Sequence, residues 1–86
     1  MAKPLASAQI RAARALLRWS AEDLARDSLL SVATIRRAEL SEKETSLTAA
    51  NDSAVRRALE TAGVEFIDEN GGGPGVRLRK RQAKKA

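Results

Sequence analysis

Residues 20–39 read SAEDLARDSLLSVATIRRAE, and this stretch decides the predicted fold. It begins with Ser20, and an acidic residue, Asp23, follows three positions later. This spacing is typical of a capping box, in which the two side chains satisfy free backbone N–H groups at the start of a helix. The helix that it predicts is short and ends near Asp27 or Ser28.

A second helix start follows almost at once. Ser31 is a cap candidate, and the helix after it extends to Glu39, with Ile35 and Ala38 at the spacing of an inward face. Residues 28–30 alone separate the two helices. Two short helices joined by a turn of three or four residues are typical of a helix-turn-helix. Spacing by itself leaves open whether this pair binds DNA or belongs to an ordinary helical bundle with a tight turn.

The residues before this stretch predict another helix. Residues 1–6 form a short lead-in, and Ser7 is the candidate cap. The buried stripe is predicted from apolar residues at helical spacing: Ile10, Ala13, Leu16, Leu17 and Trp19. The opposite, solvent side is predicted to carry Arg11, Arg14 and Arg18.

The residues after it predict a polar loop at 40–46 and a fourth helix. That helix ends at Ala62, with Gly63 as its C-cap. The sequence leaves three candidates for its start: Ser46, Asn51 and Asp52. Its predicted buried stripe consists of Val55, Leu59 and Ala62.

A β-hairpin is predicted for residues 64–80, because β-branched and alternating apolar residues flank a glycine-rich turn at 70–75. A lone hairpin is marginal in water, so it needs the helices or a second subunit as a partner. The glycines do not predict a phosphate cradle, because no Gly-Lys-Ser/Thr follows them. We expect residues 81–86 to be a disordered basic tail.

The predicted fold class is therefore mainly α. One domain over residues 1–80 holds a four- to five-helix bundle with a helix-turn-helix, followed by the C-terminal β-hairpin or a dimerisation strand. A chain of 86 residues buries only about 60% of the surface that it exposes when unfolded. Burial in a homodimer would add to this small margin of stability.

The chain is basic, with 16 Lys and Arg against 11 Asp and Glu, a net charge of +5 and a pI of about 10.5. This balance favours polyanionic partners, although a basic protein with no such partner fits the charge equally well. The basic residues near the C-terminus are predicted to contact phosphates without sequence preference, with a solubilising tail as the alternative: Arg77, Arg79, Lys80, Arg81, Lys84 and Lys85.

The chain has no Cys and no His. This excludes disulfides, a His-based catalytic triad and the usual kinds of zinc site. Carboxylates or Lys could still serve in catalysis, but nothing in the sequence gathers them, so we expect no catalytic residues, no metal and no cofactor. No apolar run approaches the roughly 18 residues of a membrane span. We therefore expect a cytoplasmic protein that does not associate with membranes.

Residues 8–39 resemble the helix-turn-helix of Cro and the phage repressors, often called the Xre family. The stretches that carry the resemblance are RALLRWS at 14–20, EDLAR at 22–26 and SVATIRRAE at 31–39. VRRALETAGVEF at 55–66 also looks like the fourth helix and following strand of small bacterial members. The resemblance implies a double-stranded DNA-binding transcriptional regulator, typically a repressor or autoregulator.

The resemblance also implies roles for residues. The base-reading candidates are Val32, Ala33, Arg36 and Arg37. The phosphate-contacting candidates are Ser20, Ala21, Ser31, Thr34 and Lys43. Arg14 and Glu39 match a structural salt bridge of the family. A bidentate arginine–guanine pair is worth about 1–3 kcal/mol of discrimination between bases.

The chain departs from the family pattern at several positions. Ala21 stands where the family usually has Gln, and Leu29 stands where its turn usually has Gly. Ser41 stands where Asn or Gly often follows the third helix, and Asp52 stands where the fourth helix usually has a core Leu. A left-handed residue other than Gly costs about 1–2 kcal/mol, so Leu29 predicts a turn of altered shape. Apolar residues at 21, 29 and 32 support an alternative hypothesis. On that hypothesis the fold serves as a protein-interaction module, antitoxin-like or antiactivator, with weak or no specific DNA binding.

Overall fold

Four helices precede a two-stranded antiparallel sheet in the computed structural model, which describes residues 3–68 and 71–79. The elements are α1 (Ser7–Leu17), α2 (Ala21–Ser28), α3 (Val32–Ala38), α4 (Ala49–Thr61), β1 (Val64–Ile67) and β2 (Gly75–Leu78). The prediction of a mainly α fold with a β-hairpin after the helices is confirmed for the described residues. Lys80 and the basic tail predicted for residues 81–86 lie outside the described residues.

Local side-chain caps determine where three of the helices begin. The Asp23 N–H donates to Ser20 Oγ at 3.0 Å, and the Ser20 N–H donates to Asp23 Oδ2 at 2.9 Å, so the predicted capping box is present. Ser31 accepts from the Thr34 N–H at the start of α3. Thr48 caps α4, rather than any of the three predicted residues.

The start of α1 differs from the prediction, since Ser7 is not the cap. The N-cap is Ala6, whose N–H donates to Gln9 Oε1 at 2.9 Å. Ser7 is buried inside the first turn, and its hydroxyl donates to the Ala38 carbonyl at the end of α3. The hydroxyl therefore makes a tertiary contact, which a local sequence pattern does not reveal.

The core lies between the helices and includes a residue of the lead-in, Leu5. Its largest fully buried apolar side chains are Leu5, Ile10, Leu24, Ile35, Val55, Leu59 and Val64. The predicted stripe of α1 is too wide, because Leu16 is exposed and Leu17 and Trp19 are only half-buried.

Asp52 holds the lead-in at Leu5. The Leu5 N–H donates to Asp52 Oδ1 at 2.9 Å, and the Thr45 N–H donates to the Leu5 carbonyl at 3.1 Å. An isolated bridge between Ala6 and Glu44 continues this pairing. The carboxylate at position 52 therefore fixes the segment that delivers Leu5 to the core.

The hairpin packs against helices of its own chain. β1 lies against α4 and β2 against α1, with Val64 opposite Leu78 and Ile67 opposite Gly75. Gln9 Nε2 donates to the Gly75 carbonyl at 3.0 Å, and the Arg56 guanidinium lies 5.3 Å from the centre of the Phe66 ring. The helices thus supply the partner that an isolated hairpin lacks.

The turn between α2 and α3 contains a strained residue. Leu29 has φ 64° and ψ 31°, the left-handed conformation that glycine adopts without strain. Its N–H donates to the Arg26 carbonyl, and the Leu30 N–H donates to the Ala25 carbonyl, which ends α2. The prediction that leucine alters the shape of the turn is wrong at this residue, since Leu29 adopts the conformation that a glycine would.

Replacing Leu29 with glycine is expected to stabilise the protein. Leu29 is 86% exposed, so little burial is lost, and about 1–2 kcal/mol of strain is relieved. Glycine also makes the unfolded chain more flexible, and the added entropy of the unfolded state lowers stability by about 0.4–1 kcal/mol. We expect a net gain of up to about 1.6 kcal/mol in the free energy of unfolding, measured by urea denaturation.

Leu40→Gly is the matched control, since Leu40 is 80% exposed and is not among the positive-φ residues of the described chain. It is expected to lower stability slightly. Equal losses in both variants would show that residue 29 is not left-handed in solution.

Candidate nucleic-acid interface

Helix α3 exposes one side of its surface and buries the other. Ile35 and Ala38 are buried in the core, whereas Ala33, Arg36 and Arg37 are exposed. Residues three and four positions apart lie on the same helical face, so these three share one solvent-facing surface. Three of the four predicted base-reading residues are therefore brought together, and we call Ala33, Arg36 and Arg37 the α3 face.

Val32, the fourth predicted base-reading residue, has a different environment. It is half-buried and packs against the core cluster. Its apolar side chain therefore contributes to folding, and only part of its surface remains for contact with a base.

The two arginines of the α3 face differ in their surroundings. Arg36 Nη2 lies 2.8 Å from Glu22 Oε2 of α2, and both side chains are 60% exposed. Arg37 forms no ion pair with any of the described residues. One cation of the face is thus held by a carboxylate of the same chain, and the other faces solvent.

The N-terminus of α2, where Ser20 and Ala21 were predicted to meet a phosphate, carries two carboxylates. A hydrogen bond from the Ser20 backbone N–H lowers the pKa of Asp23. A hydrogen bond from its own backbone N–H, followed by the charge of Arg36, lowers the pKa of Glu22. Both carboxylates are ionised at neutral pH, and their negative charges repel a phosphate. Ala21 is buried, so only its backbone is available there.

The other predicted phosphate contacts lie at the two ends of α3. At its start, Ser31 is exposed, and its hydroxyl donates to Thr34 Oγ1 at 2.9 Å. Beyond its end, Lys43 is exposed, and its backbone is fixed because its carbonyl accepts from the Ser7 N–H at 2.9 Å.

One face of α1 contacts the C-terminal end of α3. Ser7 binds the Ala38 carbonyl, Arg11 Nη1 donates to the Glu39 carbonyl, and Arg14 binds the Glu39 carboxylate. Positions 7, 11 and 14 follow the helical spacing i, i+4, i+7, which aligns them on one side of α1. Arg11 is exposed, as predicted for the side of α1 opposite the buried stripe, whereas Arg14 is half-buried because it reaches the Glu39 carboxylate.

Arg11 is a candidate phosphate contact that the sequence analysis missed. Its side chain is exposed although one donor binds the Glu39 carbonyl, so other donors remain for an anion. The helical spacing of Arg11 from Ser7 and Arg14 is the sequence signal that places it on the side of α1 that contacts α3. Arg11, Arg37 and Lys43 are exposed and have no carboxylate partner within residues 3–68 and 71–79. The Arg11 guanidinium lies at the C-terminal end of α3, and the backbone of Lys43 binds Ser7 beside it.

The expected ion pair between Arg14 and Glu39 has bidentate geometry. Arg14 Nε lies 2.7 Å from Glu39 Oε2, and Arg14 Nη2 lies 2.8 Å from Glu39 Oε1. Arg14 Nη1 also donates to the Trp19 carbonyl at 2.8 Å. The hydrogen bond to Glu39 raises the pKa of Arg14. The pair fixes α3 against α1 and does not face the solvent side of α3.

Within the described parts of the chain, no three His, Cys, Asp or Glu side chains are grouped so that they could hold a metal ion. None of the helices there has the length and apolar character needed to cross a membrane. No family model matches the chain, and a search of curated proteins finds none similar to it.

Proposed function

We propose that the protein is a sequence-specific, double-stranded DNA-binding transcriptional regulator in which α2, the turn and α3 act as a helix-turn-helix. The observation that carries this proposal is the α3 face. It holds two exposed arginines on a short helix that a three-residue turn links to α2. The major groove admits an α-helix, and arginine pairs bidentately with guanine there. The protein would act as a repressor or autoregulator in the cytoplasm by occupying an operator.

In this proposal the phosphate contacts come mainly from the two ends of α3. Ser31 and Thr34 lie at its start, and Arg11 and Lys43 lie beside its end. The carboxylates at the start of α2 make that helix terminus a poor phosphate site. Cations that neutralise phosphates release counterions, so the binding should weaken steeply with salt.

A homodimer is part of the proposal, because one helix of seven residues reads few base pairs. The hairpin β1–β2 is the candidate dimer element, since both of its strands are edges of a two-stranded sheet in the described chain. Two half-sites would then lie about 34–36 Å apart, one turn of DNA.

Binding to a randomised duplex pool, with sequencing of the bound fraction near physiological salt, tests the proposal. We expect a palindromic motif whose half-sites are one helical turn apart. Weak, strongly salt-sensitive binding without an enriched motif would contradict it.

Exposed leucines favour a second candidate function, the protein-interaction module. Leu29 and Leu40 lie just before and just after α3, and both are almost fully exposed. Ala21 and Val32 no longer support this alternative, because one is buried and the other packs on the core. An apolar protein interface should retain its affinity as salt rises, whereas DNA binding should not.

A further inference from the structure

We propose that Glu22 is a positioning residue for Arg36, and that the pair raises the preference for specific over non-specific DNA. This inference rests on the proposed function and assigns one carboxylate of α2 to base selection by α3. Glu22 lies in the first turn of α2, and Arg36 lies in the last turn of α3. Their ion pair therefore links the two helices at the ends that are remote from the connecting turn.

The geometry leaves part of the Arg36 guanidinium available. Only Nη2 is bound, at 2.8 Å from Glu22 Oε2, and neither Nε nor Nη1 has an acceptor among the described residues. A guanidinium is planar and carries five N–H donors in a fixed fork. A carboxylate that holds one corner reduces the orientations of the remaining donors, which are the ones that guanine O6 and N7 require.

The same pair weakens binding to DNA of any sequence. An arginine that is bound to Glu22 must leave that carboxylate, or bring it close to the polyanion, before it can neutralise a phosphate. Arg37, which has no carboxylate partner among the described residues, carries no such restraint. Glu22 thus favours the contact with guanine, in which Arg36 keeps its orientation. It disfavours phosphate contacts, which require only the positive charge of Arg36.

Glu22→Gln tests the inference, because glutamine keeps the size of the side chain and removes its charge. We expect the preference at one base position to fall about two- to fivefold, the range given by exposed ion pairs. Affinity for non-specific duplex should rise. Its logarithmic salt slope should steepen by up to about 0.9, the value for one additional phosphate contact. The measurements are selection from the randomised pool and salt titration on a scrambled duplex.

Asp27→Asn is the matched control, since it removes one exposed carboxylate from the other end of α2, where the partner is Arg26. It should leave the base preference unchanged. In an Arg36→Ala background, Glu22→Gln should no longer affect the same base position, although the loss of a negative charge persists. This dependence on Arg36 separates positioning from a general electrostatic effect.

The outcomes distinguish this inference from the proposed function. If the wild-type protein enriches no motif, the proposed function fails and the inference fails with it. If the wild-type motif is clear and Glu22→Gln leaves every position unchanged, or weakens all positions equally, the inference alone is overturned. A loss at one position that disappears in the Arg36→Ala background supports it.

Discussion

Arg37→Ala is expected to remove the preference at one base position of the operator and to lower specific affinity about 5- to 150-fold. This range corresponds to the roughly 1–3 kcal/mol of a bidentate arginine–guanine contact. Arg37 is exposed on the α3 face and forms no ion pair within residues 3–68 and 71–79, so its removal leaves no charge unpaired there. Selection from a randomised pool measures the preference, and titration of the selected duplex measures the affinity.

Two further variants make this experiment specific. Arg57→Ala removes an equally charged, exposed helical side chain from α4, and should change neither the preferred sequence nor the discrimination between bases. Lys43→Ala should weaken binding to all sequences alike and reduce the salt slope by about 0.9. If Arg37→Ala instead preserves both sequence preference and affinity, α3 is not the helix that reads DNA.

Arg14→Ala is expected to be the most destabilising of these substitutions, with a loss of about 3–5 kcal/mol in the free energy of unfolding. The reason is that Glu39 is only 9% exposed and would keep a buried charge without its partner. Arg14 itself is 24% exposed and also donates to the Trp19 carbonyl. A small domain has a total stability of about 5–15 kcal/mol, so urea denaturation should show a large shift of the midpoint.

Arg77→Ala provides the control at matched distance. Arg77 Nε also lies 2.7 Å from a glutamate oxygen, Glu65 Oε1, but these side chains are 68% and 38% exposed. Exposed pairs are worth about 0–1 kcal/mol, because water solvates the charge that remains. We therefore expect Arg77→Ala to cost less than about 1 kcal/mol. Similar losses in both variants would show that burial does not set the strength of the Arg14–Glu39 pair.

The contact between α1 and the end of α3 connects stability with the proposed function. Ser7, Arg11 and Arg14 bind successive polar groups at Ala38 and Glu39. Those groups fix the end of α3, next to Arg37. A loss of the Arg14 contact should therefore disturb the α3 face as well as the fold, so the DNA binding of Arg14→Ala must be measured below its unfolding transition.

The sequence alone was sufficient for several features that depend on neighbouring residues. Ser20 with Asp23 and Ser31 predicted two helix starts, because a capping side chain binds N–H groups two or three positions away. Ile35 and Ala38 followed the helical period, and the hairpin followed from alternation around a glycine-rich turn. The pairing of Arg14 with Glu39 came from a resemblance to a family, since their separation of 25 positions has no local pattern.

Tertiary structure decided the features that depend on residues far apart in the chain. Ser7 has the pattern of a cap, yet its hydroxyl binds a carbonyl 31 positions away. Asp52 occupies a position where the resemblance implies a core Leu, yet its carboxylate binds the backbone of Leu5, 47 positions away. Val32 is drawn against the core, and Glu22 meets Arg36 only because the Leu29 turn brings α2 beside α3. A cap or a helical period involves neighbours within a turn or two, whereas these contacts exist only once packing has brought distant polar groups together.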